Sequence, residues 1–229
     1  MWHLRLYQPR DRSAVRQIAG DSAHFGEPVE RFFDARELFL DAFAAYYTDV
    51  AGDHLWVAEG DDGAVLGYLM GCPDTQAYQR WAGAHLRRVA WRALTLRYGG
   101  LFTRKSLGFV WRYARLRVPY LDLSPYPAHL HLNTRADARG RGIGTALMTA
   151  YLAQLRAEGI KGVHLETSSA NLVAAPWYAR LGFVLLQRAP TDLYRPSTGR
   201  TIELLVYGKS LEGGEGRSDT ARPPAARAV

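Results

Sequence analysis

Cysteine is nearly missing from this chain of 229 residues; Cys72 stands alone. No internal disulfide can form, and a reducing, cytoplasmic setting fits. A single thiol after a strand reads as packing rather than as a nucleophile. Long apolar runs are missing as well. None approaches the roughly 20 residues of a membrane span, and the opening Met1-Trp2-His3-Leu4-Arg5 lacks a signal-peptide core. No internal repeat occurs, no metal-ligand spacing stands out, and no Gly-Lys-Ser/Thr follows a glycine turn, which excludes a P-loop. The last shortage is local. Between Asp74 and Asp122 there is not one acidic residue, against ten arginines and lysines. Set beside a net charge of +7, those ten leave the remainder at −3, so the whole basic excess lies in this one segment.

What is present suffices for one sizeable core, since 48% of the residues are apolar. Leu4 to Tyr7 alternates as a first strand, and Asp11 is a candidate cap for a helix over about 12–19. A second helix is expected over about 29–49, with Phe32, Phe33, Leu38, Phe39, Ala42, Phe43 and Tyr46 at helical spacing. His54 to Glu59 and Ala64 to Gly71 form a hairpin around Gly60-Asp61-Asp62-Gly63. The basic segment, about 75–121, reads as an inserted helical pair broken at Gly99-Gly100. In it Leu86, Val89, Ala90, Ala93, Leu94 and Leu96 share one side of the first helix. It is either a solvated face, or a lid or docking surface for an acidic partner. Strands over about 128–133, 162–167, 183–187 and 201–207 follow, with helices over about 142–158 and 171–180. Residues 211–229, rich in Gly, Pro, Ala and Arg, have little to bury and read as a disordered tail.

One turn organises the rest. Arg139-Gly140-Arg141-Gly142-Ile143-Gly144-Thr145 lies between an apolar strand and an amphipathic helix. Glycines let backbone approach a ligand, and the unpaired N–H groups of a helix start favour a phosphate. The two arginines add charge. A purely structural turn is the alternative on these residues alone.

Further residues turn the balance. Arg139-x-x-Gly142-x-Gly144, then Glu166 to Asn171, then Trp177-Tyr178-x-x-Leu181-Gly182-Phe183, together resemble the GCN5-related N-acetyltransferases over most of residues 1–208. Tyr126-Pro-Ala-His-Leu-His-Leu132 further resembles the bacterial acetyltransferases related to the acetyltransferase-like domain of O-GlcNAcases. The resemblance implies an α/β fold in one domain, 1–210. Its mixed, mostly antiparallel sheet would have two splayed parallel central strands between helices, with the basic insertion added. It also implies acetyl-coenzyme A as co-substrate and transfer of its acetyl group to a primary amine by direct attack. The acceptor would be a small molecule or a protein, an acidic one among the options, and the enzyme a monomer or homodimer.

Under that resemblance the pyrophosphate lies on Arg139, Gly140, Arg141, Gly142, Ile143, Gly144 and Thr145. The pantetheine arm lies between strands ending at Asn133 and Thr167, with Leu132, Asn133, Thr134 and Asn171 holding its amides. Tyr178 matches the tyrosine that protonates the departing thiolate. Glu166, twelve residues earlier, matches the spacing of a glutamate base, with a strand-end cap as its alternative reading. His131 is the other candidate base, and His129 a third, though strand histidines usually belong to the core. Asn133 stands where the O-GlcNAcase-related proteins suggest an aspartate, which leaves the base open. Two other classes compete. A dinucleotide-binding oxidoreductase shares the strand, glycines and helix, but Thr145 occupies its third glycine position and no second βαβ half lies upstream. A non-catalytic acetyl-coenzyme A binder would keep the turn and lose the acceptor chemistry. Specific nucleic-acid recognition has only charge in its favour.

Overall fold

A computed structural model describes residues 1–98 and 103–212. Its centre is a seven-stranded sheet in the order β1-β2-β3-β4-β5-β7-β6. The strands are β1 (Trp2–Leu6), β2 (Leu55–Gly60), β3 (Val65–Cys72), β4 (Ala128–Thr134), β5 (Gly162–Ser168), β6 (Val184–Thr191) and β7 (Ile202–Ser210). Every neighbouring pair is antiparallel except β4 and β5. That parallel pair meets only at Ala128–Val163 and His129–His164, then diverges, so the sheet is forked at its middle.

Period-two alternation sends β4 side chains to opposite layers. Leu130 joins the cluster of Val163 and Leu165 with Ile143, Leu147, Met148, Tyr151 and Leu155 of α5 (Ile143–Ala157). That helix lies so close to β3 that a Cβ at Gly71 would sit 2.2 Å from the Tyr151 ring. The opposite layer holds α1 (Arg12–Ser22) and α2 (Arg36–Asp49), whose Val15, Ile18, Leu40, Ala44 and Tyr47 bury Val57, Tyr68 and Met70.

The structure departs from the sequence expectation in three places. The helix expected over 29–49 begins only at Arg36; Val29–Arg31 is a single 3-10 turn after Pro28. Phe32 and Phe33 therefore leave the helical stripe and pack with Val29 in a small separate cluster. Asp11 does precede α1, but its side chain makes no cap bond there. Its carboxylate instead accepts from Arg5 and from the Gln8 N–H, at 2.6–2.8 Å. In that nearly buried pair Arg5 holds the Asp11 carboxyl below the usual carboxylate range, against the upward push of burial.

The third departure concerns the basic segment. It does form two helices, α3 (Thr75–Leu94) and α4 (Arg104–Ala114), capped by Asp74 and Thr103. The break at Gly99-Gly100 lies outside the described residues, as does the tail beyond 212. Of the stripe expected to face inward on α3, Val89 and Ala93 are buried while Leu86, Leu94 and Leu96 are exposed. The inner face is aromatic instead: Tyr78 and Trp81 lie 5.0 and 5.2 Å from the Tyr46 ring of α2. In α4, Phe109 packs at 4.8 Å on Phe32 and 5.8 Å on Tyr194. Among the described residues no helix is long and apolar enough to cross a membrane, and no cluster of His, Cys, Asp and Glu is arranged to hold a metal ion. Two short helices complete the chain, α6 (Ala174–Arg180) and α7 (Arg195–Thr198).

Candidate active site

The fork in the sheet opens over the start of α5. Gly140 and Gly142 take φ of +74° and +79°, a backbone that costs an ordinary L-residue about 1–2 kcal/mol. A Cβ at either position would meet nothing within 4 Å, so this side of the turn is open. Gly142 is the N-cap of α5, and no side chain caps the helix. The N–H groups of its first turn thus keep their free donors, at the positive end of the dipole. These features fit the pyrophosphate of a coenzyme A molecule.

In front of the turn lies a cleft of about 430 Å³. Leu132, Asn133 and Thr134 line it from the end of β4; Arg139, Gly140, Gly142, Ile143, Gly144 and Thr145 line it from the turn and helix. Asn171 and Tyr178 line the far side. Arg141 is exposed and is not on the lining. Arg139 is on it but already engaged, its Nη2 donating to the Gly26 carbonyl at 2.8 Å. Asn171 spends its Oδ1 on the N–H of Ala174, at 3.3 Å, which leaves its amide NH₂ as the group available to a ligand.

Sequence reasoning missed Phe25, Gly26 and Trp177, which also line the cleft. Phe25 adopts φ +55°, uncommon for a bulky residue, and its ring lies 5.0 Å from Tyr194. The Trp177 Nε1–H donates to Thr145 Oγ1 at 3.3 Å. The Phe25-Gly26 pair carries no motif, so only the long-range contact with Arg139 reveals it. A larger recess, about 530 Å³, lies among Arg10, Asp11, Asp21 and Arg135. Its charges are mutually opposed, and Arg135 is committed to Asp137 at 2.6 Å.

Tyr178 is 8% exposed, with its ring against Trp177, Phe183 and Tyr207 at 5.0–5.8 Å. Its hydroxyl has no hydrogen-bond partner among the described residues. Burial, assisted by Tyr207, pushes its pKa up to about 12, so it keeps its proton across the physiological range.

The three base candidates fall into different environments. His129 is locked inside the protein. Thr75 Oγ1 donates to the Pro127 carbonyl at 2.7 Å and so must accept from His129 Nδ1–H at 2.8 Å. Nε2 is then an acceptor, taking the Tyr47 hydroxyl at 2.7 Å. Burial, with His131 and His164 nearby, lowers the His129 pKa to about 2. It is a core histidine. His131 is half-buried against Phe43 and Tyr47, ring centroids 4.7 and 5.6 Å away, and neither ring nitrogen is bonded among the described residues. Burial, then His164, lowers its pKa to about 4, so it is neutral at pH 7 and only weakly basic.

Glu166 is exposed near the end of β5, on the face that also carries His164, and makes no side-chain bond among the described residues. The turn after it is closed by Ser168 Oγ accepting from the Ala170 N–H at 3.2 Å, so Glu166 is not a strand-end cap. Its charge reaches two tyrosines that face this side of the sheet. Burial first, then Tyr113, then Glu166 raise Tyr194 to about 12, while burial, then Tyr113 and Cys72, and last Glu166 raise Tyr78. Tyr78 of α3 lies 5.0 Å from the His129 ring, so the insertion reaches the face of the sheet that carries the β4 histidines. Among the described residues, none of α3 or α4 lines the cofactor cleft.

A forked central sheet, with a glycine turn presenting a helix start to the fork, defines an acyl-coenzyme A-dependent N-acetyltransferase fold. Comparison with known proteins agrees. The acetyltransferase (GNAT) family pattern matches residues 100–183. The crystal structure of SsHAT is 30% identical, covering 93% of this chain and 99% of that one with a TM-score of 0.72. The chain belongs to the acetyltransferase (GNAT) family. YncA from Salmonella typhimurium, solved with its cofactor acetyl-CoA, shares the fold at a TM-score of 0.57 and 13% identity, over 96% of this chain and 99% of that one. A stretch of 47 residues, 20% of the chain, is 47% identical to mycothiol acetyltransferase of Actinosynnema mirum, and spans only 16% of that protein's length.

Proposed function

We propose that residues 1–210 act as one acetyltransferase domain that passes an acetyl group directly to a primary amine. The observation that carries this reading is an unpartnered acid, Tyr178, on the cleft; Glu166, exposed and unpaired near the end of β5, is the carboxylate proposed to act with it. Acetyl-coenzyme A supplies the thioester whose acetyl group is transferred. The N–H groups of Ile143, Gly144 and Thr145 would hold its phosphates, and Leu132, Asn133, Thr134 and Asn171 the amides of its arm.

An ammonium has no lone pair, so the acceptor must lose a proton before it attacks; Glu166 takes it, directly or through water. Tyr178, still protonated at neutral pH, donates a hydrogen bond to the departing sulfur. A thiolate whose conjugate acid titrates near ~8.5 can leave with that assistance and take its proton from solvent afterwards. His131 is the weaker alternative base, because its ring is held against Phe43 and Tyr47.

Initial rates of free coenzyme A release across a panel of amines test the reading. Tyr178→Phe lowers turnover by roughly a hundredfold or more while acetyl-coenzyme A affinity stays. Glu166→Gln removes the ascending limb of the pH profile. If that limb survives in Glu166→Gln and vanishes in His131→Ala, the base is His131. No amine-dependent release at any pH, with acetyl-coenzyme A bound, would identify a non-catalytic binder.

A further inference from the structure

The inner faces of α3 and α4 are accounted for by Tyr46, Phe32 and Tyr194; their outer faces are not. On α3, Trp91 and Leu94 are 66% and 76% exposed, and they share one face with Arg87 and Arg88, three to seven residues earlier. On α4, Leu107, Val110 and Trp111 are half or more exposed, beside Arg104 and Arg115. The ten cations of the segment divide unequally. Arg80, Arg92 and Lys105 pair with Asp74, Asp41 and Asp34, and Arg112 donates to the Leu193 carbonyl. Arg87, Arg88, Arg97, Arg104, Arg115 and Arg117 have no acidic partner among the described residues.

We propose that these outer faces dock the enzyme on a bilayer rich in anionic phospholipid. Large apolar side chains interleaved with unpaired arginines on amphipathic helices match the interfacial zone of a membrane, where tryptophan and leucine enter the acyl boundary and guanidinium groups stay with the headgroup phosphates. Charge argues against a second copy of the chain on this face, since like arginines would oppose one another. Nucleic acid would satisfy the arginines but would leave Leu94, Leu107 and Val110 unburied. The docking is independent of acetyl transfer.

Full-length protein is sedimented with vesicles of phosphatidylcholine alone and of phosphatidylcholine mixed with phosphatidylglycerol. The expected result is partitioning onto the mixed vesicles only, weakening with salt, and quenching of tryptophan emission by brominated acyl chains. Each arginine at an anionic surface contributes roughly fivefold, so Arg87→Gln with Arg88→Gln lowers partitioning roughly twenty-five-fold. Trp91→Ser with Trp111→Ser abolishes the quenching. All four positions are exposed, so melting temperature and acetyl-coenzyme A affinity are expected to hold in both variants. Absence of partitioning, equal partitioning onto both vesicles, or displacement from vesicles by a single-stranded oligonucleotide would each overturn the proposal.

Discussion

Gly142 allows backbone strain to be separated from ligand contact. It sits at φ +79° and ψ −4°, and a Cβ there meets no atom within 4 Å. Alanine therefore brings no clash, only the left-handed penalty of about 1–2 kcal/mol. For a chain of this length, 1 kcal/mol moves the melting temperature by about 2–4 °C, so Gly142→Ala is expected to melt about 2–8 °C lower. Asparagine tolerates this backbone better and should lose less. Valine adds β-branching and bulk where phosphate would approach the N–H groups of the helix start. Losing one charge-assisted hydrogen bond costs about 1.5–3 kcal/mol, a factor of roughly 10 to 150 in affinity. Calorimetric titration with acetyl-coenzyme A, beside melting curves, reads both quantities. Alanine and asparagine are expected to retain binding in the roughly micromolar-to-millimolar range typical of enzyme substrates, whereas valine loses at least tenfold of it. Unchanged affinity in Gly142→Val would refute the assignment of the turn to the phosphates, and a higher melting temperature in Gly142→Ala would refute the backbone argument itself.

Acid sensitivity follows from the histidine layer. The folded pKa of His129 is lowered to about 2 and that of His131 to about 4, so below about pH 6.5 the unfolded chain binds protons that the folded chain refuses. Stability is complete above pH 6.5 and falls as pH drops towards those folded values. Urea midpoints between pH 7.5 and 5 should fall less steeply in His129→Asn than in wild type, and parallel slopes would reject the reading. Gly71→Ala places a methyl 2.2 Å from Tyr151 and 2.7 Å from the His54 carbonyl. Chemical denaturation should show a loss of about 1–3 kcal/mol, and no loss would mean that α5 stands further from β3.

The glycine turn, the hairpin and the helix that follows the turn were legible because each is specified by neighbours in sequence. Free N–H donors at a helix start need only the next few residues, and alternation places His129, His131 and Asn133 on one face of β4 without further information. The stretch 29–35 was not legible: Phe32 and Phe33 keep helical spacing with Phe39 without belonging to its helix, and Phe32 packs on Phe109 and Tyr194 and Phe33 on Phe109, far away in the chain. Leu86 and Leu94 misled for a related reason. A helical wheel assigns its apolar side to the core, whereas α3 turns Tyr78 and Trp81 inward and leaves these leucines outside. The state of a carboxylate is equally hidden. Only the fold reveals that Ser168 closes the turn after β5 and that Glu166 is left unpaired.

The early parting of β4 and β5 has a consequence for what can enter between them. Beyond His129 and His164 each strand keeps one row of peptide groups unbonded to its neighbour, while its other side is sealed by β3 or β7. Unpaired rows on the rim of a sheet invite strands from other molecules. Here the rows confront each other in the interior, with α5 on one side and α1 and α2 on the other. A chain bearing amides that entered here would find donors and acceptors on both of its sides at once, where a strand added to the rim of a sheet finds them on only one.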